Sequence, residues 1–149
     1  MPGFKVPESI LVVIHTPALD VLLLERADHP GFWQSVTGSL DFPGEDLRTA
    51  CAREVAEETG LRVAAARFVD WNLEHRYVIY PAWRRRYAAG VTHNMEHVFG
   101  LRVDERYDAR LAPREHRASQ WLPWRDAADA CFSWTNAGAI RELPQRARG

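Results

Sequence analysis

The sequence predicts a mixed α/β protein, of the α/β or α+β class, built around a mixed β-sheet. The chain has 149 residues, of which 46% are hydrophobic and six are tryptophans, enough to bury the core of one compact domain. Strand-like and helix-like patterns alternate irregularly along it, without an internal repeat or a low-complexity linker. We therefore expect residues 1–149 to form one domain.

The first third of the chain predicts three strands. Residues 9–14 are a largely β-branched apolar run, and residues 21–26 resume the same character after the turn-forming stretch 17–20. This arrangement predicts a β-hairpin. Residues 33–37 alternate in character and predict another short strand.

A loop and a helix follow. Residues 38–44 have the glycine, aspartate and proline content of a loop, and Gly60 provides the stop signal of a helix C-terminus. Between them a helix gains an apolar stripe from four residues: Leu47, Ala50, Cys51 and Val55.

The remaining elements are predicted from shorter patterns. We expect strands at 62–70, 74–80, 96–103 and 118–122, a short helix at 124–131 and a last helix beginning at 135.

Composition excludes several functional classes. The formal net charge of −1 and the pI of about 6.6 provide no global field for a nucleic-acid polymer or an anionic membrane. The apolar run at 10–14 is far shorter than a membrane span, and the sequence does not open with a signal peptide, so we expect a cytoplasmic protein. Cys51 and Cys131 lie far apart and lack a CxxC motif, which favours two small buried side chains over a disulfide or a zinc site.

The predicted helix carries acidic residues on an unexpected face. With about 100° of rotation per residue, Glu54 and Glu58 point with the apolar stripe and Glu57 borders it. A solvated acidic face is the alternative, but such a face normally lies opposite the stripe. Two carboxylates four residues apart repel each other, and the repulsion grows as they lose water.

Arg53 points away from the pair and is better placed to orient Glu45. A bound Mg²⁺ or Mn²⁺ would balance the charge, since hard cations prefer oxygen ligands.

The stretch GSLDFPGEDLRTACAREVAEETGL, residues 38–61, resembles the Nudix box, usually written Gx5Ex7REUxEExGU with U a bulky aliphatic residue. From Glu45 to Leu61 every position of the pattern is matched. Between Gly38 and Glu45, however, six residues stand where the pattern has five. The additional residue falls in the loop, so the phase of the helix is unchanged.

The resemblance implies a Nudix-type α/β/α sandwich with a mixed β-sheet and a divalent metal ion. It also implies attack by water on a phosphorus atom of a phosphoanhydride, for which clustered carboxylates hold the metal. The implied metal ligands are Glu54, Glu58 and Glu115, and the implied catalytic residues are Glu57, Glu58, Arg53 and Glu45. Glu57 is either a further ligand or a base that orients the water.

Other stretches resemble one branch of this family, the bacterial enzymes that cleave dihydroneopterin triphosphate into its monophosphate and pyrophosphate in folate biosynthesis. They include LERADHPGFWQSVTGSL at 24–40, WRRRYAAGVTHNMEH at 83–97 and SWTNAGAI at 133–140. The resemblance implies that substrate is bound by Lys5, Arg26, Thr37, Tyr77, Val78, Ile79, Tyr80 and Ser133. Arg84, Arg85 and Arg86 either reach phosphates or form a solvated arm.

Two alternatives stay open at this level. A Nudix enzyme of different specificity would act on dATP, an oxidised purine nucleotide or another nucleoside diphosphate derivative. A Nudix fold without turnover would serve as a binding module. If the protein is a hydrolase, whether of the pterin or of a nucleotide derivative, its partner is a small triphosphate or diphosphate, without a nucleic-acid polymer or a membrane. The sequence leaves the oligomeric state open.

Overall fold

The computed structural model describes residues 3–147. Its strands are β1 (Glu8–His15), β2 (Asp20–Arg26), β3 (Trp33–Gln34), β4 (Val36–Ser39), β5 (Val69–Val78), β6 (His93–Arg102) and β7 (His116–Pro123). Its α-helices are α1 (Leu47–Thr59), α2 (Trp124–Ala130), α3 (Trp134–Arg141) and α4 (Leu143–Arg146), and short 3₁₀ turns occupy Ala65–Arg67 and Pro81–Arg86. The predicted mixed α/β class is confirmed.

Strand β1 is the centre of a seven-stranded mixed sheet and is buried on both faces. It runs parallel to β6, whereas its pairings with β2 and β4 are antiparallel. Successive side chains of a strand point to opposite faces, so Ile10 and Val12 pack with α1, whereas Leu11 and Val13 pack with α2, α3 and α4. Helices cover both faces, which gives the expected α/β/α sandwich.

The sheet divides next to β1. Strands β1 and β2 form the expected hairpin, but their registered pairing is confined to His15 and Val21. Beyond that point β1 pairs with β4, while β2 pairs with β7 and β3. Because the two strands diverge after the turn, they leave an opening between two branches of the sheet.

Helix α1 begins and ends as its sequence predicts. The Asp46 side chain caps its N-terminus by accepting a hydrogen bond from the Thr49 amide at 3.0 Å. At the other end Gly60 adopts a left-handed conformation with φ of 80°, which a residue without Cβ accepts without strain.

Two strand predictions were wrong in detail. Residues 62–68 do alternate between solvent and core, with Leu61 and Val63 against the core, but they run into a 3₁₀ turn and belong to no strand. Strand β5 instead begins at Val69 and passes through a bulge at Asn72, where φ is 51°. The predicted strand at 33–37 is interrupted at Ser35, because β3 pairs with β2 and β4 pairs with β1.

The later elements lie close to their predicted positions, including the two helices near the C-terminus. Among residues 3–147, helices long and apolar enough to cross a membrane are absent.

Gly100 in β6 provides a test of the packing. A Cβ at this position would lie 2.6 Å from Nε1 of the buried Trp71 indole, so Gly100→Ala should lower the free energy of unfolding by about 1–3 kcal/mol. Gly138 in α3 is the matched control, since a Cβ there meets nothing within 4 Å. Gly138→Ala should instead stabilise the protein by about 0.5–1 kcal/mol. Urea unfolding measures both, and equal stability of the two variants would contradict this packing.

Candidate active site

A polar cleft of about 730 Å³ occupies the opening between the two branches of the sheet. One branch contributes Ser9, Leu11 and Thr37 to its wall, and the other contributes Arg26 and Gln34. Helix α1 supplies Arg53, Glu54, Glu57 and Glu58. The cleft therefore exists because β1 and β2 separate, and α1 points its acidic residues into it.

Glu54 and Glu58 are both buried, with residue exposures of 8% and 3%. Burial raises the pKa of both carboxyls, and the negative charge of Glu54 raises the pKa of Glu58 further. Atom Oε1 of Glu58 is buried without a hydrogen-bond partner among the described residues. The protein thus holds two carboxyl groups together where an additional cation would stabilise their ionised forms.

Arg53 is the organising cation of this region. Its guanidinium donates to Glu54 Oε2 at 2.8 Å and to Glu45 Oε1 at 3.0 Å. It also pairs with Asp41 at 3.0 Å, and its Nη1 lies 4.0 Å from Glu57 Oε2. The expected contact between Arg53 and Glu45 is therefore present, although Glu45 supports the cleft from outside its lining. The expectation that Arg53 points away from the acidic pair was wrong, because its long side chain reaches Glu54.

The loop before α1 is closed by the same group of residues. The Asp41 amide donates to Glu45 Oε1 at 2.8 Å, and the Glu45 amide donates to the Phe42 carbonyl at 3.1 Å. Phe42 is exposed. The loop, which is one residue longer than the Nudix pattern, therefore turns outward while Gly38 and Glu45 stay in contact with the residues around α1.

A side chain at Gly38 would displace the Glu54 carboxyl. A Cβ at this position would lie 2.2 Å from Cδ of Glu54. The first glycine of the box thus keeps the Glu54 carboxyl in its position, because that carboxyl packs directly on the glycine backbone.

Arg26 projects into the cleft in a fixed orientation. Its guanidinium donates to both carboxylate oxygens of Asp28, at 2.8 and 2.9 Å, and to Gln34 Oε1 at 3.3 Å. Its Cζ lies 4.2 Å from the ring centroid of Trp83, within the range of a cation–π interaction. A guanidinium held in this way is preorganised for phosphate oxygens.

Lys5, Thr37 and Ser133 also line the cleft. Burial lowers the pKa of Lys5, and the charges of Arg86 and Arg26 lower it further, although much of the residue surface is exposed. The Thr37 hydroxyl donates to the Ile10 carbonyl at 3.0 Å. Ser133 caps α3 and also faces the cleft.

The four consecutive residues predicted to contact substrate separate in the structure. Tyr77 lines the cleft, whereas Val78 is 55% exposed and Ile79 is buried. Tyr80 does not line the cleft, and its ring packs against the lining residue Trp83 at a centroid distance of 4.9 Å. Tyr77 and Val78 end β5, where neighbouring side chains face opposite ways, and Ile79 and Tyr80 follow after the strand. Of the four, Tyr77 alone lines the cleft, and substrate contact by the segment stays a prediction.

The three predicted metal ligands are only partly assembled. Glu115 lies exposed at the cleft, close enough for its charge to raise the pKa of Glu58. Between residues 3 and 147, however, three or more His, Cys, Asp or Glu side chains are nowhere gathered closely enough to hold a metal ion by themselves. The Glu54–Glu58 pair nevertheless suits Mg²⁺, which retains several waters and is usually completed by substrate phosphates. The unpartnered Glu58 oxygen is consistent with that role.

His116 is a cleft residue that sequence reasoning missed. Its Nε2 lies 3.2 Å from Gln34 Nε2 and 3.9 Å from Glu58 Oε1. Burial, with a contribution from the charge of Arg26, lowers the pKa of His116 to about 4, so the imidazole is neutral at pH 7. A lone histidine beginning a strand gives no sequence signal for such a position.

Other lining residues were also missed, because they come from separate strands and loops that only the fold brings together. They include Asp28, Gln34, Trp83, Asn94, Glu96 and Phe132. Of the three consecutive arginines, Arg86 lines the cleft and contacts Asp28 at 3.5 Å.

Comparison with known proteins places this geometry in a family. The NUDIX domain model matches residues 5–143. The chain belongs to the Nudix family. This confirms the resemblance that the box indicated, and Nudix hydrolases generally need divalent metal ions.

Two curated relatives that match this chain over nearly their whole length carry the same name. The chain is 40% identical over 143 residues to the dihydroneopterin triphosphate diphosphatase of Escherichia coli K12, covering 94% of this chain and 93% of that protein. It is 35% identical over 145 residues to the Haemophilus influenzae protein of the same name, covering 95% and 90%. The solved structure of the E. coli dihydroneopterin triphosphate pyrophosphohydrolase matches with a TM-score of 0.86 over 94% of this chain and 96% of that chain.

The buried pair predicts an unusual dependence of stability on pH. Since the folded-state pKa of Glu58 is raised, the folded protein binds more protons than the unfolded chain above the ordinary glutamate pKa, so stability falls as pH rises through the raised pKa. In the presence of a chelator at pH 7, Glu58→Gln should therefore raise the free energy of unfolding by about 1–3 kcal/mol, because a neutral amide removes the cost of either burying a carboxylate or keeping it protonated.

The difference should shrink as pH falls towards about 4, where Glu58 is protonated in the folded protein and largely protonated in the unfolded chain. Glu57→Gln is the control, since Glu57 is exposed and should change stability little. Urea unfolding from pH 4 to 8 measures the effect, and a Glu58→Gln variant less stable than the parent at pH 7 would refute it.

Proposed function

We propose that this protein hydrolyses dihydroneopterin triphosphate to dihydroneopterin monophosphate and pyrophosphate, with Mg²⁺ as the metal and Mn²⁺ as a possible substitute. Water attacks a phosphorus atom, the phosphoanhydride bond between the first and second phosphates breaks, and pyrophosphate leaves. The observation that carries the proposal is the meeting of the buried Glu54–Glu58 pair with Arg26 and Lys5 in one cleft. Such a site can hold a highly charged triphosphate and the cation that neutralises it.

The basic residues bind and orient the phosphates. Arg26 is already fixed by Asp28, Gln34 and Trp83, so little side-chain entropy is lost when it contacts a phosphate. Lys5 and Arg86 add positive charge on the same side of the cleft. These three cations restrict the triphosphate to positions beside α1.

The acidic residues divide into two groups by their exposure. Glu54 and Glu58, both buried, would hold the divalent cation, which when bound neutralises phosphate charge and polarises the attacked phosphorus. Glu57 and Glu115 are exposed at the cleft and can accept a proton from, or orient, a water molecule. Arg53 acts as a positioning residue, because its guanidinium donates hydrogen bonds that hold the carboxylates of Glu54 and Glu45.

The substrate is assigned from the relatives and the size of the cleft. The named diphosphatases of E. coli and H. influenzae match this chain over nearly its whole length. A volume of about 730 Å³ is typical of small-molecule sites. The proposed partner is accordingly a small triphosphate in the cytoplasm, without a nucleic-acid polymer.

Relative turnover tests this assignment. Hydrolysis would be compared as kcat/KM with Mg²⁺ and with Mn²⁺, from pyrophosphate release for dihydroneopterin triphosphate, dATP and 8-oxo-dGTP and from AMP formation for ADP-ribose. We expect a preference of at least tenfold for the pterin, which corresponds to about 1.4 kcal/mol of transition-state discrimination. A higher kcat/KM for a nucleotide would retain the Nudix chemistry and reject the pterin as substrate.

The non-catalytic alternative is tested by a matched pair of substitutions. Glu58→Gln keeps the size of the side chain and removes the charge, so kcat should fall at least a hundredfold. Glu105→Gln makes the same change at an exposed position outside the cleft and should leave kcat unchanged. If Glu58→Gln remains folded and retains full kcat, the proposed role of the pair is wrong. An unmodified protein inactive on every substrate would favour the binding module.

A further inference from the structure

A second set of polar side chains lines the same cleft and has no role in the phosphate chemistry. Ser9 of β1, Tyr77 of β5, and Asn94 and Glu96 of β6 all face the cavity. Strand register places Glu96 directly beside Ser9 on one side and beside His75 on the other. Ser9, Asn94 and Glu96 are each at most 5% exposed. Burying so many polar groups is unfavourable unless each finds a partner.

Asn94 is oriented by two of these neighbours. Its Nδ2 donates to Ser9 Oγ at 2.8 Å and to Tyr77 Oη at 3.1 Å. Both amide hydrogens are thereby used, and the carbonyl oxygen Oδ1 is buried without a partner among the described residues. Asn94 therefore offers a hydrogen-bond acceptor and has no further donor to offer.

Glu96 offers a second acceptor. Its Oε1 is likewise buried without a hydrogen-bond partner within residues 3–147. His75 Nδ1 lies 3.4 Å from this oxygen, but the two atoms lack hydrogen-bond geometry, and both remain unpartnered. An unsatisfied buried carboxylate oxygen lowers the stability of the folded protein. Its presence therefore needs an explanation, such as a ligand that donates a hydrogen bond to it.

The two unpartnered acceptors lie two residues apart on one face of β6, about 6–7 Å along the strand. A ligand that satisfies them must present hydrogen-bond donors along one edge. Neither a phosphate, which offers acceptors, nor a metal-bound triphosphate meets that requirement. The hydrogen-bond donors that this part of the cleft needs can come from the other end of the substrate, its heterocycle.

We infer that Glu96, supported by Asn94, binds the edge of the substrate heterocycle that carries a ring N–H next to an exocyclic amino group. The pterin ring of the proposed substrate has this edge, with N3–H beside the 2-amino group, and guanine has the same arrangement at N1–H and its 2-amino group. A carboxylate accepts from both donors at once. Adenine lacks this pair of donors, so adenine nucleotides would leave Glu96 unsatisfied.

The inference deepens the proposed function and rests on it for the identity of the substrate. It makes Glu96 the residue that selects the ring, while the residues around α1 select the phosphates. A site built to accept a hydrogen bond discriminates strongly against an analogue that lacks the donor.

The test compares binding of GMP and IMP, which differ only in the 2-amino group, by titration calorimetry without a divalent metal. GMP should bind the unmodified protein at least tenfold more tightly than IMP. In Glu96→Gln, which keeps the size of the side chain and places a donor against the ring, the ratio should fall below about twofold. Glu105→Gln, at an exposed site, should keep the original ratio.

Three results would overturn the inference: equal affinity of the unmodified protein for GMP and IMP, no binding of either, or an unchanged ratio in folded Glu96→Gln. The first two need no substitution, so a variant that fails to fold does not remove the test. Turnover of dihydroneopterin triphosphate with Mg²⁺ is measured separately. A pterin that is not hydrolysed, together with a GMP preference that Glu96→Gln abolishes, would reject the proposed substrate alone. Full pterin hydrolysis with no GMP preference would reject the role of Glu96 alone.

Discussion

The burial of two carboxyl groups on one helix is the constraint on which the site depends. Glu54 and Glu58 occupy adjacent turns of α1 and are turned towards the core side of the helix. That position requires a backbone without Cβ at Gly38, where the Glu54 carboxyl makes contact. It also requires Arg53 to balance charge from the side. Loop, strand and helix of the Nudix box are thus fixed by one unfavourable interaction that the surrounding residues offset.

The divided sheet supplies the complementary part of the design. A continuous antiparallel pairing of β1 with β2 would fill the space in which the cleft lies. The space stays open because the registered pairing of the two strands is limited to His15 and Val21. The two branches then carry different chemistry. Arg26 and Gln34 stand on the branch of β2 and β3, while Ser9 and Glu96 stand on the branch of β1 and β6. A long ligand can consequently be held by different groups at different parts of the cleft.

Sequence reasoning reached the parts of this site that are local in the chain. The phase of α1 is a property of consecutive residues, so the burial of Glu54 and Glu58 could be predicted from the helical angle and the apolar stripe. Residues that meet across the sheet could not be found in this way. Asn94 and Glu96 resemble ordinary polar positions of an alternating strand, and only the parallel pairing of β6 with β1 shows that both are buried at the cleft. The error at residues 62–68 has the same origin, because alternation reports burial of one face and says nothing about a strand partner.

Lys5 is the only lysine in the sequence, every other basic side chain of comparable length being arginine. Its amine therefore shares the chain's reactivity towards acylating reagents with the terminal amino group alone. The lowered pKa of Lys5 leaves more of the neutral, nucleophilic amine at mild pH than an ordinary lysine would have. A reporter dye attached through this amine would stand at the cleft at a single defined position, and the rate of its attachment would reveal whether a ligand already occupies the cleft.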